Sequence, residues 1–269
     1  MKKVNVIIVR TGGTNCDKET AFAFESAGAH ADLVHINQLI SREYSLLDYQ
    51  ILAVPGGFTY GDDIASGKIL ANELRHNLYE DLRAFVKNGK LIIGICNGFQ
   101  VLVKCGLLPN FSGDCGAVDA TLTLNDSAKF EDRWVYLKRV SAGTRRINNR
   151  CVWTKGIHKT IYLPVAHAEG KFIPRNGSVM KKLVKNGYVV FEYVDKNGKA
   201  GPYPWNPNGS VHNIAGITDT SGRIFGLMPH PERHISPLQH PRWTRGTMPK
   251  VGDGFLIFKN GVEYCKNHL

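Results

Sequence analysis

The sequence predicts an α/β fold in which a central, mostly parallel sheet carries helices on both faces and is extended by antiparallel strands. In the first hundred residues, short apolar runs alternate with helical patterns, which is typical of repeated strand–helix units. The second half instead carries short or alternating strand patterns between turn-rich segments. No stretch of linker composition divides the chain, so we expect one domain over residues 1–269.

Apolar runs predict the strands of the first half. These runs cover residues 4–9, 31–36, 50–54 and 91–95. Helical patterns lie between and after them, over residues 17–27, 64–74, 78–87 and 99–105. Asp17 is predicted to cap the first helix, while Gly28 and Gly106 follow the last periodic residues of two helices and are predicted to end them.

Shorter strands are predicted in the second half, over residues 118–124, 134–139, 188–194 and 224–228. Residues 201–210, rich in proline, glycine and asparagine, are predicted to form a loop. In a parallel sheet, functional loops collect at the edge formed by the carboxyl ends of the strands. Arg10, Pro55 and Cys96 each follow a predicted strand, so we expect them to meet on that rim.

The composition is that of a globular protein, with 43% hydrophobic and 21% charged residues. No apolar run reaches the ~18 residues that a membrane-spanning helix needs. The first residues lead into a predicted strand rather than a signal peptide, so we expect a cytoplasmic protein. The six cysteines are scattered without a Cys-x-x-Cys pair. This pattern predicts neither a zinc site nor a disulfide framework, and we expect no metal site.

The formal net charge of +11 is compatible with an anionic substrate, an acidic partner protein or nucleic acid. The densest basic stretch, residues 138–150, contains five Lys and Arg residues and no acid. It lacks the interleaved aromatic side chains that are typical of nucleic-acid-binding surfaces. We therefore expect a solvated face or a surface for a partner protein there, and no nucleic-acid binding.

Cys96 lies on a predicted tight turn, in the sequence Gly-Ile-Cys-Asn-Gly at 94–98. A cysteine after an apolar strand is more often a small buried residue. Here the flanking glycines permit a strained backbone, and the helix that follows favours a thiolate at its start. Far downstream, His230 can accept the thiol proton and Glu232 can orient the imidazole. We therefore predict that these three residues form a nucleophile, base and orienting group.

A Pro-Gly-Gly sequence at residues 55–57 follows the third predicted strand. Glycines let backbone N–H groups approach a ligand closely, as a hole for a negatively charged oxygen requires. The N–H groups of Gly57 and Asn97 are predicted to form such an oxyanion hole beside Cys96. A simple turn from strand to loop is the alternative interpretation of this motif.

Taken together, these motifs resemble those of the class I, or triad, glutamine amidotransferases. The shared features are the sequences at residues 55–57, 94–100 and 230–232, in this order. More narrowly, residues 13–17, 55–62 and 228–233 resemble the glutaminase subunits of phosphoribosylformylglycinamidine synthase, which acts in purine biosynthesis. The resemblance covers most of the chain and implies an amidotransferase-like fold for all of it.

The resemblance also implies roles for individual residues. Cys96 is expected to attack the side-chain amide of L-glutamine, which gives a γ-glutamyl thioester and ammonia. Gln100 matches a position that helps to hold the glutamine, although an ordinary polar helix residue is an equal alternative. Glu169 matches a segment near the glutamine site, where it is expected to contact the α-amino group. His167 is not expected to be the base, because only His230 carries the His-x-Glu pattern.

The partners implied by the resemblance are a larger PurL-like synthetase subunit and a small PurS-like subunit. The synthetase subunit is expected to receive the ammonia and to hold ATP and Mg²⁺. No phosphate-binding loop of the Walker type occurs here, so we expect no cofactor in this chain. Residues 234–251 are predicted to be a surface element at a partner interface, or simply a loop.

Three other functions fit the motifs less well. The first is an amidotransferase subunit of another ammonia-using synthase, which the sequence at residues 58–62 argues against. The second is a cysteine hydrolase of related fold that acts without a partner on other substrates. The third is a non-catalytic module on the same fold, although such a module has no chemical need for Cys96, His230 and Glu232.

Overall fold

The computed structural model describes residues 3–113, 115–140, 150–245 and 249–269. Eleven strands occur in these ranges: β1 Asn5–Arg10, β2 His30–His35, β3 Ile51–Val54, β4 Leu91–Ile95, β5 Ala120–Thr123, β6 Glu131–Arg139, β7 Ile161–His167, β8 Lys171–Pro174, β9 Val189–Val194, β10 Ile214–Thr218 and β11 Ile224–Leu227. The same ranges contain seven α-helices: α1 Asp17–Ser26, α2 Ile36–Ile40, α3 Lys68–Asn77, α4 Tyr79–Lys87, α5 Asn97–Lys104, α6 Gly177–Lys185 and α7 Phe255–His268.

Nine strands form one mixed sheet in the order β2-β1-β3-β4-β11-β10-β9-β6-β7. The strands from β2 to β11 in this order are parallel. The strands from β11 to β7 are antiparallel, while β5 and β8 form a separate two-stranded sheet. The predicted parallel sheet with an antiparallel extension is therefore confirmed.

Helices cover both faces of the parallel part of the sheet. Every residue of β3 and β4 is buried, which requires apolar cover on both sides of these central strands. Helices α1 and α7 pack against each other in one group, and α3 and α5 pack in another. None of the helices in the described part of the chain has the length and apolar character required to span a bilayer.

Strand register places three loops side by side. β4 runs parallel to β3 with Gly94 opposite Val54, and parallel to β11 with Ile95 opposite Leu227. The segments that leave these three strands therefore emerge at the same edge of the sheet. They carry the Pro-Gly-Gly sequence, Cys96 and His230.

Two helix starts differ from the sequence predictions. Cys16, not Asp17, is the capping residue of α1, and the Asp17 carboxylate instead pairs with Arg10 at 3.3 Å. The helix predicted from residue 64 begins at Lys68, because the backbone before it is turned into the left-handed region at Ile64 and Gly67. Propensity alone does not reveal such a tight turn.

Two surface segments lie partly outside the described residues. In the basic stretch 138–150, Arg145 and Arg146 are outside, whereas Lys138 and Arg150 each donate a hydrogen bond to a backbone carbonyl of the chain. In the segment 234–251, residues 246–248 are outside. The described part of that segment exposes three large apolar side chains, Leu238, Trp243 and Val251.

Candidate active site

Cys96 lies on a strained turn between β4 and α5. Its backbone has φ +52° and ψ −107°, which a non-glycine residue rarely adopts. The turn depends on glycine at residue 98, because an added Cβ there would lie 1.8 Å from the carbonyl oxygen of Val54. Helix α5 begins directly after Cys96, so the thiol lies at the positive end of the helix dipole. This geometry matches the predicted nucleophile turn.

His230 and Glu232 form a buried hydrogen-bonded pair. The imidazole Nδ1 lies 2.6 Å from Oε1 of Glu232, and both residues are at most 2% exposed. Pro231 begins the short helix Pro231–His234 and holds the two side chains on one turn. A carboxylate that accepts the Nδ1 proton leaves Nε2 free to accept another. Within the described residues, His230 Nε2 is buried without a hydrogen-bond partner.

The surroundings of His230 favour its protonated form. Burial alone would lower the pKa of this imidazole, but the negative charges of the Glu232 carboxylate and of Cys96 as a thiolate raise it well above its usual range. An imidazole with a raised pKa accepts a proton more readily. His230 is therefore suited to take the proton of a neighbouring thiol.

Gly56 shows how closely the nucleophile and the base approach each other. A Cβ added to Gly56 would lie 2.8 Å from His230 Cε1 and 3.4 Å from Cys96 Cβ. Both side chains therefore border the same glycine. The structure brings Cys96, His230 and Glu232 together, as the sequence analysis predicts.

His167 lies nearby in a different environment. Burial lowers the pKa of its imidazole to about 3, and its Nδ1 lies 3.2 Å from the side-chain oxygen of Asn125. The imidazole therefore stays neutral near pH 7, and its Nδ1 is used in the contact with Asn125. This environment gives no support to a role as general base.

The predicted oxyanion-hole residues, Gly57 and Asn97, lie on the loop after β3 and at the start of α5. Thr14 and Gly57 form an isolated antiparallel bridge, whose hydrogen bonds are donated by Phe58 and Cys16. Neither of these hydrogen bonds uses the Gly57 N–H, so this N–H can donate to a ligand. Asn97 is the first residue of α5, so its amide has no acceptor within the helix.

Gln100 and Glu169 meet beside the nucleophile. The Gln100 side chain donates to the backbone carbonyl of Glu169 at 2.7 Å and accepts from the Asn97 side chain at 2.9 Å. Both ends of this amide are therefore engaged within the protein. The Glu169 carboxylate accepts from the backbone N–H of Ser66 at 3.2 Å, and the Lys104 ammonium lies 3.9 Å away.

Asp62 is a site residue that the sequence analysis did not single out. Its carboxylate accepts from the Ser66 hydroxyl at 2.7 Å and from the Asn97 side chain at 3.0 Å. Burial and the neighbouring Glu169 raise the pKa of Asp62, while its hydrogen bonds lower it. The residue lies within the 55–62 sequence that carries the resemblance, but its role depends on the turn that follows.

Cys16 is a second thiol near the base. Its sulfur, a ring nitrogen of His230 and a carboxylate oxygen of Glu232 lie within 4.8 Å of one another. In the described ranges this is the one cluster of His, Cys, Asp and Glu compact enough for a metal ion. The absence of a metal site stays a prediction.

Comparisons with known proteins agree with this site. The CobB/CobQ-like glutamine amidotransferase domain matches residues 3–265. A relative from Dehalococcoides mccartyi, named phosphoribosylformylglycinamidine synthase subunit PurQ, is 50% identical over 99% of both chains. A protein of the same name from Archaeoglobus fulgidus is 41% identical over 98% of both chains. In the structure of PurLQS from Thermotoga maritima, one chain is 29% identical with a TM-score of 0.72, covering 98% of this chain and 99% of that one. The chain therefore belongs to the CobB/CobQ-like glutamine amidotransferase family, in its PurQ branch.

Proposed function

We propose that this chain is the glutaminase subunit of phosphoribosylformylglycinamidine synthase and hydrolyses L-glutamine to glutamate and ammonia. The observation that carries the proposal is the strained Cys96 turn beside the buried pair of His230 and Glu232. The family shown by the comparisons is an amidotransferase family, and its PurQ members are named as synthase subunits. This agreement argues against a non-catalytic module.

In the proposed mechanism, Cys96 transfers its thiol proton to His230 Nε2 and the sulfur attacks the side-chain amide carbon of glutamine. The carbonyl electron pair moves to oxygen, and a tetrahedral intermediate forms. When this collapses, the C–N bond breaks and the nitrogen takes the proton from His230, so ammonia leaves and a thioester remains. His230 then removes a proton from water, which attacks the thioester carbon. When this second tetrahedral intermediate collapses, the C–S bond breaks, the sulfur takes the proton back from His230, and glutamate is released. Glu232 holds the imidazole in the tautomer that both steps need.

The negative oxygen of the intermediate is proposed to bind the backbone amides of Gly57 and Asn97. Asn97 directly follows Cys96, and Gly57 follows Gly56, which lies against Cys96. Neither amide donates one of the hydrogen bonds given for its own loop or helix among the described residues. Loss of one such donor typically lowers the rate ~10²–10³-fold. The Thr59 hydroxyl donates to the Asn97 side chain at 2.7 Å and so helps to hold the start of α5 in place.

The α-amino group of glutamine is proposed to bind between Asp62 and Glu169. The two carboxylates share Ser66 as a donor, and Glu169 raises the pKa of Asp62 through like charge. A ligand ammonium would offset that repulsion. Gln100 would act here by fixing the Glu169 backbone rather than by contacting glutamine itself.

We propose that the ammonia passes to a PurL-like synthetase subunit, with a PurS-like subunit as a further partner. The synthetase subunit would bind ATP and Mg²⁺ and convert formylglycinamide ribonucleotide to the amidine. The solved relative is part of a structure titled PurLQS, which supports such an assembly.

We also propose a cytoplasmic location. None of the six cysteines, all within the described ranges, forms a disulfide, which is typical of a reducing compartment.

A glutamine analogue that carries a diazoketone tests the proposed nucleophile. We expect one adduct on Cys96, found by intact mass and peptide mapping, which excess glutamine prevents and Cys96→Ser abolishes. Cys96→Ser should keep the melting temperature while losing glutamine hydrolysis. Hydrolysis by the Cys96→Ser variant would overturn the mechanism. If no adduct forms even with the synthetase subunits present, the chain is a non-catalytic module.

The acceptor is tested separately by reconstitution. This chain, mixed with PurL-like and PurS-like subunits from the same organism, should support amidine formation with glutamine as nitrogen donor. A synthase subunit from another ammonia-using pathway should gain no glutamine-dependent activity. The opposite pattern would retain the glutaminase but reject the proposed acceptor.

A further inference from the structure

Cys16 connects helix α1 to the catalytic loops. Its backbone N–H donates to the carbonyl of Gly56 at 3.2 Å, and its carbonyl accepts from the amide and hydroxyl of Thr20 at 3.0 and 2.7 Å. The side chain is only 1% exposed. The backbone of Cys16 is therefore held from both sides, by the start of α1 and by the loop after β3.

An arginine fixes the Cys16 sulfur from the other direction. Arg233 follows Glu232, and its Nη2 donates to Cys16 Sγ at 3.1 Å. The same guanidinium donates from Nε and Nη2 to the two carboxylate oxygens of Glu19 on α1, at 2.8 and 3.2 Å. A forked arginine–carboxylate pair is directional, so it fixes both partners in orientation. The turn that carries His230 and Glu232 is thereby tied to the first turn of α1.

The sulfur is packed against the base. A Cβ on Gly56 would lie 3.2 Å from Cys16 Sγ and 2.8 Å from His230 Cε1, so the thiol and the ring edge share one small space. The sulfur also lies within 4.8 Å of a His230 ring nitrogen and a Glu232 oxygen. Burial raises the pKa of the Cys16 thiol, so it stays neutral beside this pair. A neutral thiol fills the space without adding a charge that competes with Cys96.

We propose that Cys16 is a positioning residue for the glutaminase reaction: it holds the His230 ring between Glu232 and Cys96, and the Arg233–Glu19 pair holds Cys16 in place. This proposal rests on the proposed function. Cys16 is neither the nucleophile nor the base, so its proposed effect passes through the orientation of His230. The expected signature is therefore a slower chemical step with unchanged glutamine binding.

The test compares Cys16→Ala, Cys16→Ser and the control Cys265→Ala in the complex with the synthetase subunits. Cys265 is a thiol of equal burial on α7, away from the site. We expect Cys16→Ala to lower kcat about tenfold with KM nearly unchanged, since a small misplacement of a catalytic group costs rate rather than binding. Cys16→Ser should recover most of the loss, because its hydroxyl can still accept from Arg233. Cys265→Ala should lower only the melting temperature.

A second readout does not depend on glutamine turnover. The rate at which iodoacetamide alkylates Cys96, followed by peptide mapping across pH, reports the thiolate that His230 stabilises. We expect the midpoint of this profile to move to higher pH in Cys16→Ala but not in Cys265→Ala. An unchanged kcat and midpoint in Cys16→Ala would overturn the proposal, as would equal defects in the Ala and Ser variants. If Cys96→Ser still hydrolyses glutamine, the proposed function fails whatever the alkylation profile shows.

Discussion

At the residue scale, the two members of the His230–Glu232 pair contribute unequally. His230 carries the proton in both chemical steps, whereas Glu232 orients the ring through one hydrogen bond of 2.6 Å. We expect His230→Ala to lower kcat about a hundredfold more than Glu232→Gln, because a glutamine oxygen can still accept from Nδ1. Steady-state glutaminase rates measure this order. A greater loss in Glu232→Gln would reverse the assignment of base and orienting group.

His167 provides a pH-dependent prediction. Its pKa is about 3 in the folded protein, below the ordinary value of 6.5, so between these values the unfolded chain binds the extra proton. Its contribution to stability is therefore present near pH 7 and lost as pH falls below 6.5. The loss by pH 5 is up to about 2 kcal/mol.

Urea unfolding of the wild type and of His167→Gln at pH 7 and pH 5 measures this contribution. The wild type should lose more free energy of unfolding than the variant between the two pH values. Equal losses of unfolding free energy in the two proteins would contradict the prediction, because His167 would then bind its proton equally in the folded and unfolded states. Because the comparison is between two proteins that keep the His230–Glu232 pair, that pair cancels.

At the scale of elements, the loop after β3 sets the distance between nucleophile and base. An added methyl group at Gly56 would lie 2.8 Å from His230 Cε1, whereas Gly12 has no heavy atom within 4 Å of such a group. We expect Gly56→Ala to lower kcat about a hundredfold by displacing the ring, while Gly12→Ala stays near the wild-type rate. Measurements of kcat for both variants test this prediction, with circular dichroism as a control for folding. Wild-type activity in Gly56→Ala would show that the ring can move without cost.

Local patterns were sufficient for the strands and helices that surround Cys96. The apolar run of β3 ends at Pro55 and that of β4 begins soon after Gly89, while only Asn5 interrupts the run of β1, so the hydrophobic pattern predicts all three strands. The sequence patterns do not predict β7, β8 or β10, because pairing with β6, with β5, and with β9 and β11 supplies their burial. Strand preference depends strongly on such tertiary contacts.

At the scale of the whole molecule, α7 completes the face of the sheet that α1 covers. Trp153 is fully buried, packs edge-on against Phe24 of α1 and donates its indole N–H to a backbone carbonyl at 2.9 Å. Gly261 of α7 lies against its ring, where an added Cβ would approach to 2.5 Å. Glycine at residue 261 lowers the helix propensity of this segment, so the local sequence pattern does not predict α7.

Gly261→Ala therefore separates packing from helix propensity. Propensity alone predicts a gain of about 1 kcal/mol in the free energy of unfolding. Overpacking against Trp153 predicts a loss of about 1–3 kcal/mol, and we expect this loss. Gly177→Ala at the start of α6, with open space around it, is the matched control and should be neutral or stabilising. Urea unfolding decides, and a more stable Gly261→Ala would show that α7 packs loosely.

Sequence patterns are enough to identify the chemical groups of this protein: a cysteine on a glycine-flanked turn, a His-x-Glu pair and a parallel sheet to carry them. These follow from local backbone freedom and periodicity, which neighbouring residues decide. Long-range packing, which sequence patterns do not predict, places the thiol of Cys16 against His230 and brings Asp62 beside Glu169. The reason is physical, because His230 lies more than two hundred residues from Cys16 in sequence. The register of the parallel strands and the hydrogen bonds of Arg233 to Glu19 and Cys16 bring the two residues together.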